Sequence, residues 1–296
     1  MEMGRISTAM ISSFSTEGKI DYEIAGVLIE HLIKNGTNSI VVNGTTGESP
    51  TLSVEEKEAL LAFTIKTVNK RIPVIAGTGT NSTSESLQLT KKATELGADG
   101  IMLVTPYYNK PSQKGMYAHF TEIASETSLP ILLYNIPGRS VVNLLPETVV
   151  ALSKVKNIRA VKEASGDLEQ IATIITETDQ NFSVYSGDDA LTLPILAIGG
   201  NGIVSVAAHI VGNDMQKMIA AFLAGRNAEA AAMHRALLPL FRGLFATSNP
   251  VPLKYALKKM NIGTGGVRLP LISYGDCNAE FDHIWKEYEK NRTLFA

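Results

Sequence analysis

The chain of 296 residues has a single cysteine, Cys277, which excludes an internal disulfide framework and fits a reducing compartment. It has no run approaching the roughly 18 apolar residues that a bilayer-crossing helix needs. The stretch Met1-Glu2-Met3-Gly4-Arg5 lacks the long apolar segment of a secretory leader, so a cytoplasmic location is expected. Charge of one sign is also missing. Lys and Arg number 27 against 29 Asp and Glu, a formal net charge of −2, which argues against nucleic acid or an anionic membrane as the main partner. Gly77-Thr78-Gly79-Thr80-Asn81-Ser82 lacks the third glycine of a dinucleotide fingerprint, and neither a Walker A sequence nor a G-x-S-x-G elbow is present. His31, His119, His209, His234 and His283 are scattered, with no H-E-x-x-H or ligand cluster, so a catalytic metal is unsupported. The available chemistry is an amine, phenols, hydroxyls and an arginine.

What is present is an apolar chain with a regular rhythm. Hydrophobic residues make up 45%. A chain of about 300 residues can bury about three quarters of its unfolded surface. Short runs rich in Ile, Val and Leu recur at 6–11, 39–42, 72–76, 100–104, 130–134, 158–162, 182–185 and 202–206, bounded by Gly, Pro or Asn. They read as buried parallel strands. Amphipathic stretches at 22–34, 54–69, 84–96, 114–126, 146–154, 167–178 and 190–198 read as helices between them. Ser53 with Glu56 three residues on makes a capping box, and Pro146 suits a first helical turn, where no N–H is needed.

Eight strands with helices between them predict a closed (β/α)8 TIM barrel. The alternative, an open doubly wound sheet, would need a reversal of strand order. After residue 206 only helices are expected, at 215–223, 228–245, 252–260 and 278–291. The expected division is a barrel catalytic domain over 1–225 and a C-terminal helical region over 226–296.

In such a barrel the chemistry collects at the C-terminal ends of the strands, and the unusual residues of this chain fall there. Lys162 closes the run Ile158-Arg159-Ala160-Val161-Lys162. A period of two puts Ile158, Ala160 and Lys162 on one face. If that face lines the barrel, desolvation lowers the amine pKa, and a neutral amine can form a Schiff base with a carbonyl. The plainer alternative is a strand-end lysine that ion-pairs or snorkels. Gly44-Thr45-Thr46-Gly47 puts hydroxyls and free N–H groups in a tight turn, suited to a carboxylate or phosphate, or serving only as a capped βα turn. Tyr134 ends the fifth run as either a proton relay or a buried phenol with a satisfied hydroxyl. Tyr107 and Tyr108 are core or interface residues. Arg139, in a Pro-Gly loop, is either a carboxylate fork or a surface arginine. Asp188 and Asp189 precede a helix and read as an N-cap in preference to a carboxylate pair. Glu48 and Glu163 read as local hydrogen-bond or ion-pair partners.

The chain resembles the dihydrodipicolinate synthase family and, more broadly, the pyruvate-dependent Schiff-base lyases that include N-acetylneuraminate lyase. The likeness runs through nearly the whole chain. It is carried by Gly44-Thr45-Thr46-Gly47-Glu48-Ser49, Pro73-Val74-Ile75-Ala76-Gly77-Thr78-Gly79, Thr105-Pro106-Tyr107-Tyr108-Asn109, Tyr134-Asn135-Ile136-Pro137-Gly138-Arg139, Lys162-Glu163-Ala164-Ser165-Gly166, Ser186-Gly187-Asp188-Asp189, Asn249-Pro250-Val251-Pro252-Leu253-Lys254 and Arg268-Leu269-Pro270-Leu271.

The resemblance implies an imine between Lys162 and pyruvate, with Thr45 and Thr46 holding the pyruvate carboxylate and Tyr134 as acid and base. It implies a proton relay of Thr45, Tyr108 and Tyr134, with Tyr108 reaching in from a neighbouring subunit of a dimer or a dimer of dimers. Arg139 would bind the carboxylate of the second substrate, L-aspartate 4-semialdehyde. Gly187 and Asp188 would line the same pocket, and Val204 would contribute backbone near the imine. No metal or organic cofactor is implied. The product would feed lysine and diaminopimelate biosynthesis, and a sugar-acid aldolase is the alternative activity. Relatives inhibited by lysine bind it near positions matching Ser49, Asn81, Glu85 and Tyr107, with histidines matching Val54 and Lys57. A cation at Lys57 should repel lysine, so weak inhibition or none is expected. Ser12-Ser13 departs from the Thr-Pro that many relatives carry before Phe14.

Overall fold

The computed structural model describes residues 3–275 and 277–291. Eight strands, β1 (Ile6–Ala9), β2 (Ser39–Val42), β3 (Val74–Gly77), β4 (Gly100–Val104), β5 (Ile131–Asn135), β6 (Ile158–Glu163), β7 (Ser183–Ser186) and β8 (Gly202–Ser205), form one closed parallel barrel in sequence order. β1 pairs with both β2 and β8, so strand order never reverses and the open-sheet alternative is excluded. The helices are α1 (Tyr22–Lys34), α2 (Val54–Val68), α3 (Thr83–Glu95), α4 (Gln113–Ser125), α5 (Pro137–Ser140), α6 (Pro146–Ser153), α7 (Leu168–Glu177), α8 (Thr192–Ala197), α9 (Ala208–Leu223), α10 (Asn227–Gly243), α11 (Val251–Lys259) and α12 (Ala279–Asn291). The chain has the TIM-barrel architecture followed by a helical C-terminal region. Residues 292–296 of the expected region lie outside the described residues, as do Met1 and Glu2 of the N-terminal reading.

Two apolar layers follow from the strand alternation. Ala9, Val41, Ile75, Met102, Leu132, Tyr134, Ala160, Tyr185 and Val204 fill the barrel interior. The opposite faces of the strands pack with Leu28, Leu60, Phe120, Ile171 and other helix residues in the larger outer core. β6 departs from simple alternation. Its pairing with β5 shifts register between Ile131 and Leu132, where Ile158 and then Ala160 are the partners. Ile158 therefore joins the outer core, while Ala160 lies inside, so the face expected to carry Ile158, Ala160 and Lys162 holds only the last two on the inner side. The bulge falls at exposed Arg159.

Helix starts follow the caps. Asp21, Ser82, Ser112 and Asp167 each accept from a first-turn N–H, and Ser53 with Glu56 completes the capping box. α9 begins seven residues before the expected helix over 215–223. The helix is kinked at Val211, whose backbone is non-helical, and Gly212 beside it sits where a Cβ would strike the carbonyl of Asn35, the C-cap of α1. α10 lies along α9 and α12 and also touches the single turn Asp189–Leu191 after β7. No described helix is long and apolar enough to cross a membrane.

Candidate active site

Lys162 projects into the barrel near its C-terminal mouth and is 5% exposed. Burial drives its amine down from 10.5 to about 7, with the Arg139 charge adding to the depression and the Asp189 carboxylate opposing it. Its Nζ lies 3.9 Å from the centre of the Tyr134 ring. The strand register explains this contact, because Tyr134 of β5 and Lys162 of β6 are direct partners. No ion pair to Lys162 is found among the described residues. Gly187, at the end of β7, leaves room for the lysine stem: a Cβ there would lie 3.1 Å from Lys162 Cε and 2.7 Å from the Ala164 Cβ.

Tyr134 is buried, and desolvation pushes its phenol up to about 12, so it keeps its proton at neutral pH. The Arg139 charge and, to a smaller extent, the neighbouring Thr45 hydroxyl partly offset that rise. Thr45 opens a single 3-10 turn, Thr45–Gly47, which leads directly into a second, Ser49–Thr51. Thr46 is buried and its Oγ1 accepts from Asn249 Nδ2 at 2.9 Å. Ser12 Oγ donates to the Gly47 carbonyl at 2.6 Å, so Ser12 of the Ser12-Ser13 departure supports this turn from the segment that follows β1.

Arg139, Gly187 and Asp188 line an open cavity of about 700 Å³ together with Ala164, Arg242 and Phe245. Asp188 accepts from Ala190 N at 2.9 Å, which is the N-cap expected of it. Asp189 turns inward instead. It accepts from Ser205 Oγ, Val206 N and Ala207 N, and burial raises its carboxyl to about 6. Val204 lies in the inner barrel layer.

A second cavity, about 190 Å³, lies behind Thr45 and Tyr134 and is lined by Ser49, Lys57, Glu85 and Tyr107. Tyr107 is half-buried, and burial beside Glu85 raises its phenol, an effect that the nearby Asn81 main chain opposes. Tyr108 is not part of either cavity. It is 86% exposed and holds a left-handed backbone at φ 74°. Among the described residues, no three His, Cys, Asp or Glu side chains converge as metal ligands.

Of the residues expected at the site, the structure brings Lys162, Tyr134 and Thr45 together. It sets Thr46 beside them and lines the mouth with Arg139, Gly187 and Asp188. It leaves Tyr108 pointing outward. Residues that sequence reasoning gave no catalytic or binding role there are Asp189, Asn249, Arg242 and Phe245. Asp189 and Asn249 carried a signal, as parts of the Ser186-Gly187-Asp188-Asp189 and Asn249-Pro250-Val251-Pro252 segments.

Fold and site together define the class, an α/β barrel with a buried amine and a phenol against it at the C-terminal ends of its strands. The sequence profile of the dihydrodipicolinate synthetase family matches residues 2–281. The 4-hydroxy-tetrahydrodipicolinate synthase of Bacillus velezensis is 60% identical over 272 residues, 92% of this chain and 94% of that one. The crystal structure of a dihydrodipicolinate synthase from Bacillus anthracis superposes with a TM-score of 0.95 at 50% identity, covering 98% of each chain. That from Cyanidioschyzon merolae, with lysine bound, gives 0.92 at 43% identity over 99% of this chain and 98% of that one. The chain belongs to the dihydrodipicolinate synthetase family.

Proposed function

We propose that this lyase carries out the 4-hydroxy-tetrahydrodipicolinate synthase reaction, joining pyruvate to L-aspartate 4-semialdehyde through a Schiff base on Lys162. One observation carries the reading: a buried amine lowered to about 7 lies against the Tyr134 ring at the mouth of the barrel. Near neutral pH a large fraction of that amine is uncharged and nucleophilic. Its nitrogen attacks the pyruvate carbonyl, and loss of water gives the imine. The imine withdraws electrons, so a methyl proton leaves and an enamine forms. The enamine carbon attacks the aldehyde, forming the new carbon–carbon bond. The amino group of the second substrate then attacks the imine carbon, which closes the ring and releases Lys162.

Tyr134 acts in this scheme as the acid that protonates departing oxygen, and it recovers its proton through Thr45. Its raised pKa keeps the phenol protonated at neutral pH, so the proton is there to be given once the Schiff-base chemistry develops negative charge on the departing oxygen. Thr45 and Thr46 hold the pyruvate carboxylate. Arg139, at the mouth, takes the carboxylate of the semialdehyde, with Gly187 and Asp188 in the same wall. The Tyr108 phenol, exposed and held by an unusual backbone, completes the relay in a neighbouring subunit of a dimer or a dimer of dimers. The cavity lined by Ser49, Glu85 and Tyr107, with Asn81 against Tyr107, matches the place where lysine-inhibited relatives bind their effector, and Lys57 in its wall works against lysine binding there. The reaction needs no metal or organic cofactor, and the enzyme works in the cytoplasm on behalf of lysine and diaminopimelate biosynthesis.

A coupled assay separates the candidates. Turnover should require both pyruvate and L-aspartate 4-semialdehyde. Cleavage of N-acetylneuraminate with no turnover of the semialdehyde would point to a sugar-acid aldolase instead.

A further inference from the structure

The turn assigned to the pyruvate carboxylate is gripped by a segment more than 200 residues away in sequence. Lys254 Nζ meets Glu48 at 2.7 Å, with both side chains almost fully buried, and it also donates to the Gly266 carbonyl at 2.7 Å. Arg268 N donates to Glu48 Oε2 at 2.9 Å, and the Arg268 guanidinium donates to the Thr51 carbonyl at 2.8 Å and pairs with Glu56. The Phe14 ring is in contact with both cations, its centre 4.2 Å from Lys254 Nζ and 4.4 Å from Arg268 Cζ. A buried pair of this kind is weak as a source of stability, but it fixes geometry.

One bond of this grip reaches the site itself. Asn249 Nδ2 donates to Thr46 Oγ1. A hydroxyl has one proton and two acceptor positions. The amide occupies an acceptor position, so the hydroxyl proton must point elsewhere, and no acceptor for it is found among the described residues. We propose that Asn249 is a positioning residue that holds the Thr46 hydroxyl as a donor toward the substrate carboxylate. The Glu48–Lys254–Arg268 cluster fixes the segment that carries Asn249. An acceptor-only residue in its place would capture the Thr46 proton and reverse this polarity. The C-terminal region thereby becomes part of keto-acid binding.

The inference rests on the reading that Thr46 binds the pyruvate carboxylate, and the test keeps the two apart. Asn249→Ala should raise KM for pyruvate by about tenfold, the scale of one hydrogen bond to a charged group, with kcat and KM for the semialdehyde little changed. Asn249→Asp should raise it further, because the carboxylate both takes the Thr46 proton and repels the substrate. Thr46→Val should raise the same KM, and adding Asn249→Ala to it should have no further effect, since both variants remove one interaction. Thermal unfolding identifies any variant that fails to fold, and Asn249→Ser, which keeps a donor, should restore part of the affinity. A fully additive double variant, or equal losses for both substrates, would overturn the assignment of Asn249. An unchanged KM for pyruvate in Thr46→Val would instead overturn the underlying reading of Thr46.

Discussion

At the scale of single residues, the proposed chemistry depends on the water removed from Lys162. Its depressed pKa means that the reactive, neutral amine accumulates as pH rises through about 7. The rate of pyruvate imine formation should therefore climb between about pH 6 and 8 and then level off. Stopped-flow or quenched trapping at fixed pyruvate would measure it, and a midpoint near 10 would mean that the amine is hydrated like an ordinary lysine. A second prediction belongs to Lys57. Its side chain is buried in the wall of the cavity that holds Glu85 and Tyr107, where a cationic amino acid would meet a like charge. Millimolar lysine should leave the initial rate nearly unchanged, while Lys57→His should gain sensitivity. Strong inhibition of the wild-type enzyme would contradict that.

At the scale of elements, the placement of Tyr134 over Lys162 is fixed from behind. Asn135 and Glu163 are the next residues on β5 and β6 and face outward. Asn135 Nδ2 donates to Glu163 at 3.0 Å and to Asn143 Oδ1 at 2.7 Å, Asn143 Nδ2 donates to Gln170 Oε1 at 2.7 Å, and Gln170 Nε2 returns to Glu163 at 2.7 Å. This closed ring joins β5, β6, α7 and the loop before α6 while leaving the Glu163 carboxylate satisfied. Gln170→Leu should cost about 1–3 kcal/mol in urea unfolding, because it strands a buried acceptor and a buried donor. An unchanged midpoint would show that the ring carries no strain-free geometry worth keeping. Much of this level was legible in the sequence. The strand ends, the Ser53 capping box and the Lys162 and Tyr134 positions follow from local pattern and from the family likeness. The first half of α9 did not, because it is set off from the rest by the kink at Val211 and held by a close approach of Gly212 to the Asn35 carbonyl that only the fold shows. The ties of Asn249 to Thr46 and of Lys254 to Glu48 span about 200 residues, and no periodicity reports such contacts. Asp189 looked like half of an N-cap pair. Only the fold shows that it turns inward beneath the lysine.

At the scale of the whole molecule, barrel closure has its own titrating element. His209, in α9, accepts from Ile11 N at 3.2 Å, and its Nδ1 bonds the Val206 carbonyl at 2.8 Å, so it joins the ends of β1 and β8 where the barrel shuts. Burial lowers its pKa from 6.5 to about 4. The unfolded chain therefore takes up a proton that the folded one refuses, and stability is lost as pH falls from about 6.5 to about 4. Each such imidazole contributes about 1.4 kcal/mol per pH unit over that window. His209→Gln should flatten the acid limb of stability by that amount. A variant with the wild-type slope would show that the ring protonates as easily in the fold as outside it.

The central claim, that Lys162 is the nucleophile, meets its most direct test in covalent trapping. Incubation with pyruvate, reduction with borohydride, digestion and peptide mass mapping should place one adduct on Lys162 and none on Lys254. The latter is also buried but is tied to Glu48 and the Gly266 carbonyl. An adduct on any other lysine, or no adduct in an enzyme that still turns over, would contradict the account.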